Sequence, residues 1–129
     1  MAPLGDAAGA AARHTAGMLV ISHACLPYAN HDGCTCQTVA GPALGVSAID
    51  ASLWTVPVGA AMPVSRHDGP CVVLVLAGSG KQRVAGAPQS FRGPCTLIVP
   101  PLAEHEIVNT GALPLQLVVI VAPVAASES

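Results

Sequence analysis

Two histidines, His67 and His105, stand where apolar β-branched runs meet turns, and each has a patterned neighbourhood. The first lies in Gly59-Ala-Ala-Met-Pro-Val-Ser65-Arg-His67-Asp-Gly-Pro-Cys71, which leads into Val72-Val-Leu-Val-Leu-Ala-Gly78-Ser-Gly80. The second lies in Gly93-Pro-Cys-Thr-Leu-Ile-Val-Pro100-Pro-Leu-Ala-Glu-His105-Glu-Ile-Val-Asn109. Neutral imidazole is the commonest metal ligand among side chains, so two of them on neighbouring strands suit a shared ion. Either one serves equally well as an ordinary polar residue at a strand end. Cys71 adds a thiol, whose thiolate ligates zinc, copper or iron. It reads equally as a small apolar residue opening a buried strand.

A competing group of soft ligands runs His23-Ala-Cys25-Leu-Pro-Tyr-Ala-Asn-His31-Asp-Gly-Cys34-Thr-Cys36. It lacks the Cys-x2-Cys knuckle that clamps a structural zinc in a tight turn. Cys34 and Cys36 on an extended strand share a face, and the stretch reads as a loop entering the first long strand. His14 lies in an Ala/Gly-rich stretch and has no functional reading. Asp68 and Glu104 flank the two central histidines and border the same expected pocket, although such flanking charges usually face solvent. Arg66 alternates with Ser65 and His67, so it is expected to point away from the site. Met62, Val64 and Leu97 are the expected apolar wall. Nucleophile elbows, phosphate-binding glycine loops and dinucleotide fingerprints are absent.

The elements that must position these residues follow from composition and punctuation. A chain of 129 residues forms one domain with a real core. With 52% hydrophobic and 9% charged residues it is globular rather than disordered. Three aromatic residues (Tyr28, Trp54 and Phe91) leave the core to Val, Leu, Ile and Ala. A net charge of −2 without a Lys/Arg cluster argues against a nucleic-acid partner. The apolar run from Leu113 to Ala126 is interrupted by Pro114, Gln116 and Pro123, which argues against a membrane span, and no export signal is evident. Five cysteines, an odd number, fit reduced thiols and a cytoplasmic protein.

Residues 1–17 read as a flexible Ala/Gly-rich tail and 18–124 as a single domain. Expected strands are Met18–Ser22, Cys36–Ala40, Val46–Val56, Met62–Arg66, Cys71–Ala77, Gln82–Ala85, Gln89–Phe91, Cys95–Val99, Glu106–Asn109 and Leu115–Ala122. They are rich in β-branched residues, and turn signals recur between them, which predicts an all-β sandwich or barrel. Gly78 and Gly80 are expected to supply positive φ for a tight turn.

The stretch from Gly59 to Asn109 resembles the two motifs of the cupin superfamily. The first motif is a glycine, five residues, His-x-His, three or four residues, Glu, six residues and Gly. Anchored on Gly78, it places its glutamate at Cys71, its second histidine at His67 and its first at Ser65. The second, Pro-x-Gly-x-x-His-x-x-x-Asn, matches at Pro100, His105 and Asn109, with Leu102 in place of glycine. The resemblance implies a jelly-roll barrel, or double-stranded β-helix, with a divalent metal (Fe, Zn, Ni, Cu or Mn) held by His67, Cys71 and His105. It implies a small-molecule ligand and a homodimer whose strands Val46–Val56 and Leu115–Ala122 suit a buried interface. Two functions are compatible with it. One is a metal-dependent enzyme of dioxygenase or isomerase type acting on a small organic molecule. The other is a non-catalytic binding or sensing module whose metal site has degenerated, as Ser65 and Cys71 suggest.

Overall fold

Runs of β-branched residues cannot close helical turns comfortably but pack well on a pleated surface. In the computed structural model, which describes residues 13–15 and 18–122, these runs form antiparallel strands. The first are β1 (Arg13–Thr15), β2 (Met18–Val20), β3 (Ala29–His31), β4 (Cys34–Ala40) and β5 (Asp50–Val56). The remainder are β6 (Cys71–Ala77), β7 (Ser79–Val84), β8 (Ala87–Arg92), β9 (Cys95–Val99), β10 (His105–Asn109) and β11 (Leu115–Val121). A six-stranded sheet has the order β3-β4-β5-β11-β6-β9, a three-stranded sheet β10-β7-β8, and β1 pairs with β2. This is the all-β jelly roll expected of the sequence.

The register aligns Cys36, Trp54, Leu117, Val75 and Cys95 in one row across the large sheet. Thr38, Ser52, Val119, Val73 and Leu97 form the next row, and Asp50, Val121, Cys71 and Val99 a third. Side chains of one row share a face, and here that face looks inward: Val73, Val75 and Leu117 pack in one core with Ile107 of β10. The two sheets therefore close over a common interior.

Asn109 ties three segments together at one end of that interior. It is 2% exposed, and its Nδ2 donates to the carbonyls of Val56 and Leu113, each at 2.9 Å. Its Oδ1 accepts from the Gly111 N–H, also at 2.9 Å.

Several elements differ from the sequence reading. The expected strand Met62–Arg66 is reduced to isolated bridges at Ala61 and Ser65, because Pro63 between them has no N–H to donate to a ladder. Residues 46–49 are irregular, and β5 begins only at Asp50, because a 3-10 turn at Pro42–Leu44 ends on Gly45 with φ 85°. The stretch read as a loop before β4 contains β3, joined to it through Asp32 (φ 54°) and Gly33 (φ 87°). Two successive positive φ values are the signature of a type I′ hairpin, and Asp-Gly is its favoured sequence. Gly78 does take positive φ (104°). Gly80 instead lies inside β7, where a β-carbon would collide with the Val108 carbonyl. Of the expected tail, 1–12, 16 and 17 lie outside the described residues, while Arg13–Thr15 pairs with Met18–Val20. The expected domain end at 124 also lies outside them. Among the described residues, no helix is long and apolar enough to cross a membrane.

Candidate functional site

The segment between β5 and β6 carries His67 and is held along β10 by backbone hydrogen bonds. Met62 N donates to Ile107 O (2.9 Å), Asn109 N to Ala60 O (2.9 Å), and Ser65 and His105 exchange a pair of bonds at 3.0 and 2.9 Å. Leu102 N closes the clamp on the His67 carbonyl at 2.7 Å. Leu102, at the position where the motif has glycine, keeps the glycine-like backbone with φ 67°. A leucine there is strained, since its β-carbon crowds the following carbonyl, so the surrounding bonds must hold it. The turn from Pro100 to His105 thereby binds both histidine-bearing segments to one frame.

This frame brings the imidazoles to a centroid separation of 5.4 Å at an interplanar angle of 41°. Cys71 enters from the large sheet as the first residue of β6. The ligand atoms of His67, Cys71 and His105 all lie within 4.8 Å of one another, the one such group of three among the described residues. Such a trio could hold a single ion, whose bonds to nitrogen and sulfur run about 2.0–2.3 Å. His105 is 5% exposed, and its Nδ1 is buried without a hydrogen-bond partner. Burial and the neighbouring His67 hold its pKa below the ordinary value, with the Ala103 backbone acting in the opposite sense. Low basicity keeps the ring neutral, the form that ligates. Cys71 is 1% exposed, and desolvation pushes its thiol pKa up, which favours the protonated form until a cation displaces the proton.

The two histidines open onto a cavity of about 470 Å³. Ile49, Trp54, Met62, Val119 and Val121 form apolar walls, and Asp50, Ser52 and Ser65 are among the polar lining groups. Cys71 does not line the cavity. Ser65 faces it, but its hydroxyl donates to the Pro63 carbonyl at 3.2 Å. Of the expected apolar wall only Met62 is in place. Val64 is exposed beside a smaller depression containing Glu104, and Leu97 lines a third depression with Phe91. Asp68 and Glu104 do not line the main cavity, and Arg66 points to solvent as expected.

The His23–Cys36 group does not converge. His23 and Cys25 are exposed on a 3-10 turn, and the carbonyls of His23 and Leu26 accept from Gln37 Nε2 at 2.8 and 3.2 Å. The Cys34 thiol donates to the Ala61 carbonyl, and His31 packs on Trp54 with centroids 5.5 Å apart. The residues missed by the sequence reading are Asp50, Ser52 and Trp54. Their alternation along Val46–Val56 was a sufficient signal once that strand was known to present one face inward.

The sequence profile of the cupin domain family matches residues 52–121, more than half of this 129-residue chain. The chain belongs to the cupin family. Solved structures agree with the cupin fold at low sequence identity. A predicted oxalate decarboxylase from Thermotoga maritima superposes with a TM-score of 0.72 at 13% identity, covering 81% of this chain and 99% of that one. An RmlC-like cupin from Shewanella frigidimarina gives 0.65 at 18% identity, covering 81% and 89%. A sugar phosphate isomerase of the cupin superfamily from Silicibacter pomeroyi gives 0.62 at 18% identity, covering 72% and 61%. No curated protein matches the sequence.

Proposed function

We propose that this cupin binds a divalent metal through His67, Cys71 and His105 and acts on a small organic molecule in the adjoining cavity, as a dioxygenase-type or isomerase-type enzyme. The observation that carries the reading is the convergence of three ligand atoms within 4.8 Å at a cavity that both histidines line. The unpartnered Nδ1 of His105 supports it, because a buried ring nitrogen without a partner is costly unless something satisfies it. The donor set of two imidazoles and one thiol suits zinc, copper or iron.

When bound, the ion would supply Lewis-acid polarisation and open positions for a ligand or dioxygen. The chain's own contribution is placement. Leu102 and Ser65 hold the histidine backbones, and Ile49, Met62, Trp54 and Val119 restrict water around a ligand. Oxalate and sugar phosphates, the compounds in two neighbours' names, are anions. No lysine or arginine lines this cavity, and at 13% and 18% identity those two neighbours share the fold alone, so neither compound is assigned to this chain. A cytoplasmic homodimer is part of the same reading. It is supported by five unpaired thiols and by partly exposed Val72, Leu74, Val118 and Ile120 on the outer side of the large sheet.

A second reading, a binding or sensing module without metal, is favoured by Ser65 in place of a ligand and by Cys71 packed among apolar core residues. Metal analysis separates the two. After chelation and reconstitution with Zn²⁺, Fe²⁺, Ni²⁺, Cu²⁺ or Mn²⁺, the metal-binding reading expects about one equivalent of at least one ion, removed by His67→Ala. Metal far below one equivalent under all five conditions contradicts it.

A further inference from the structure

We propose that the cavity is selective for small amphipathic amines, with Asp50 as the counter-charge for an ammonium group and Trp54 as part of the apolar seat. This names a ligand class for the site proposed above and shares with it only the cavity. Asp50, Ser52 and Trp54 occupy alternate positions of β5, and all three line the cavity. Residues two apart on a strand share a face, so a carboxylate and an indole stand on one wall, their Cα atoms about 13 Å apart at roughly 3.3 Å per residue. The indole is fixed there: its Nε1 donates to Ser52 Oγ at 2.9 Å, and His31 packs against it at 5.5 Å.

The charge of the lining decides the class. Asp50 is its one carboxylate, it has no lysine or arginine, and its two histidines are the remaining titratable groups. The ion pair found among the described residues, Arg83–Glu106, lies away from this cavity. In the metal-free cavity, an anionic ligand would place like charge near Asp50 with no lysine or arginine on the lining to offset it. An ammonium gains the Asp50 carboxylate, while the Trp54 indole lies farther along the same wall and faces the apolar end of the ligand. The apolar walls then receive the hydrocarbon part of the ligand.

Trp54 is the only tryptophan, so its fluorescence reports occupancy directly. The experiment titrates chelator-treated protein with phenethylamine and, separately, with 3-phenylpropionate, which are of similar size and opposite charge. Chelation prevents a metal from binding the carboxylate. The expected result is quenching by the amine with affinity about ten-fold above that of the acid. Asp50→Asn should weaken amine binding about three-fold and strengthen acid binding about three-fold, which together erase the preference, sizes typical of an exposed charge pair, and Asp50→Glu should retain it. Equal or tighter binding of the acid, a preference unchanged in Asp50→Asn, or no quenching by either compound would overturn the proposal. Metal content does not enter this readout, so the amine selectivity and the metal site fail independently.

Discussion

Two regions of this chain are rich in imidazole and thiol, and they have opposite fates. In the first, five candidate ligands crowd into residues 23–36, yet His23 and Cys25 stay on an exposed 3-10 turn, and His31, Cys34 and Cys36 share one face of the hairpin without forming a ligand group. In the second, three candidates are spread from 67 to 105, yet their ligand atoms lie within 4.8 Å. Proximity in sequence therefore says little about a metal centre in a β-protein. What gathers ligands is the register between strands and the bonds that fix the loops between them. The second region has such bonds, including Leu102 N to His67 O and the Ser65–His105 pair. The first uses its backbone carbonyls to satisfy Gln37 instead.

The contrast is sharpest when ligands are removed. His105→Ala should lower divalent-metal affinity by at least about a hundred-fold, since loss of a direct ligand exceeds the 10–100-fold effects of outer-shell changes. The double variant His23→Ala/His31→Ala should leave it unchanged, as read by competition with a chromogenic chelator. Next in size, Asn109→Ala should destabilise the fold by about 2–4 kcal/mol, because two carbonyls and one N–H lose their buried partner. The denaturant midpoint measures it.

The pH dependence follows from His105. Its folded pKa lies below the ordinary 6.5, so on acidification the unfolded ring takes up a proton before the folded one does. The stability contribution of the neutral ring is thus full above about 6.5 and is lost as pH falls toward the folded pKa. Metal-free protein should show a midpoint that falls over that window, and His105→Gln should flatten the fall. Leu102→Gly should relieve the strained φ and raise stability by about 0.5–1 kcal/mol, after the entropy cost of glycine. The smallest effect belongs to the first region: His23→Ala alone should stay within about 0.5 kcal/mol of the parent, as exposed substitutions do.

The jelly roll was legible because β6 and β9 are apolar runs rich in β-branched residues, bounded by Pro70 and Gly78 and by Pro94 and Pro100, and their bounds Cys71–Ala77 and Cys95–Val99 were read correctly. The positions of His67, Cys71 and His105 were legible from motif spacing. What spacing could not convey was depth: Cys71 is sealed in the core beside the cavity rather than on its wall. Val64 and Leu97 were misplaced for a related reason. Pro63 interrupts the strand that would have turned Val64 inward, and Leu97 lies on β9, at the far edge of the large sheet from β5. The Asp32-Gly33 hairpin was present in the sequence as a turn signal but was overshadowed by the cysteines and histidines around it. Asn109, matched as a motif residue, proved to be a clamp between strand ends.

The claim that a thiolate and two imidazoles share one ion is tested most directly by cobalt. Titration of metal-free protein with Co²⁺ should produce a near-ultraviolet thiolate-to-cobalt charge-transfer band that saturates at about one equivalent. The band should be lost in Cys71→Ser and retained in Cys36→Ser. Failure to bind Co²⁺, or a band that survives Cys71→Ser unchanged, would contradict the His67–Cys71–His105 centre.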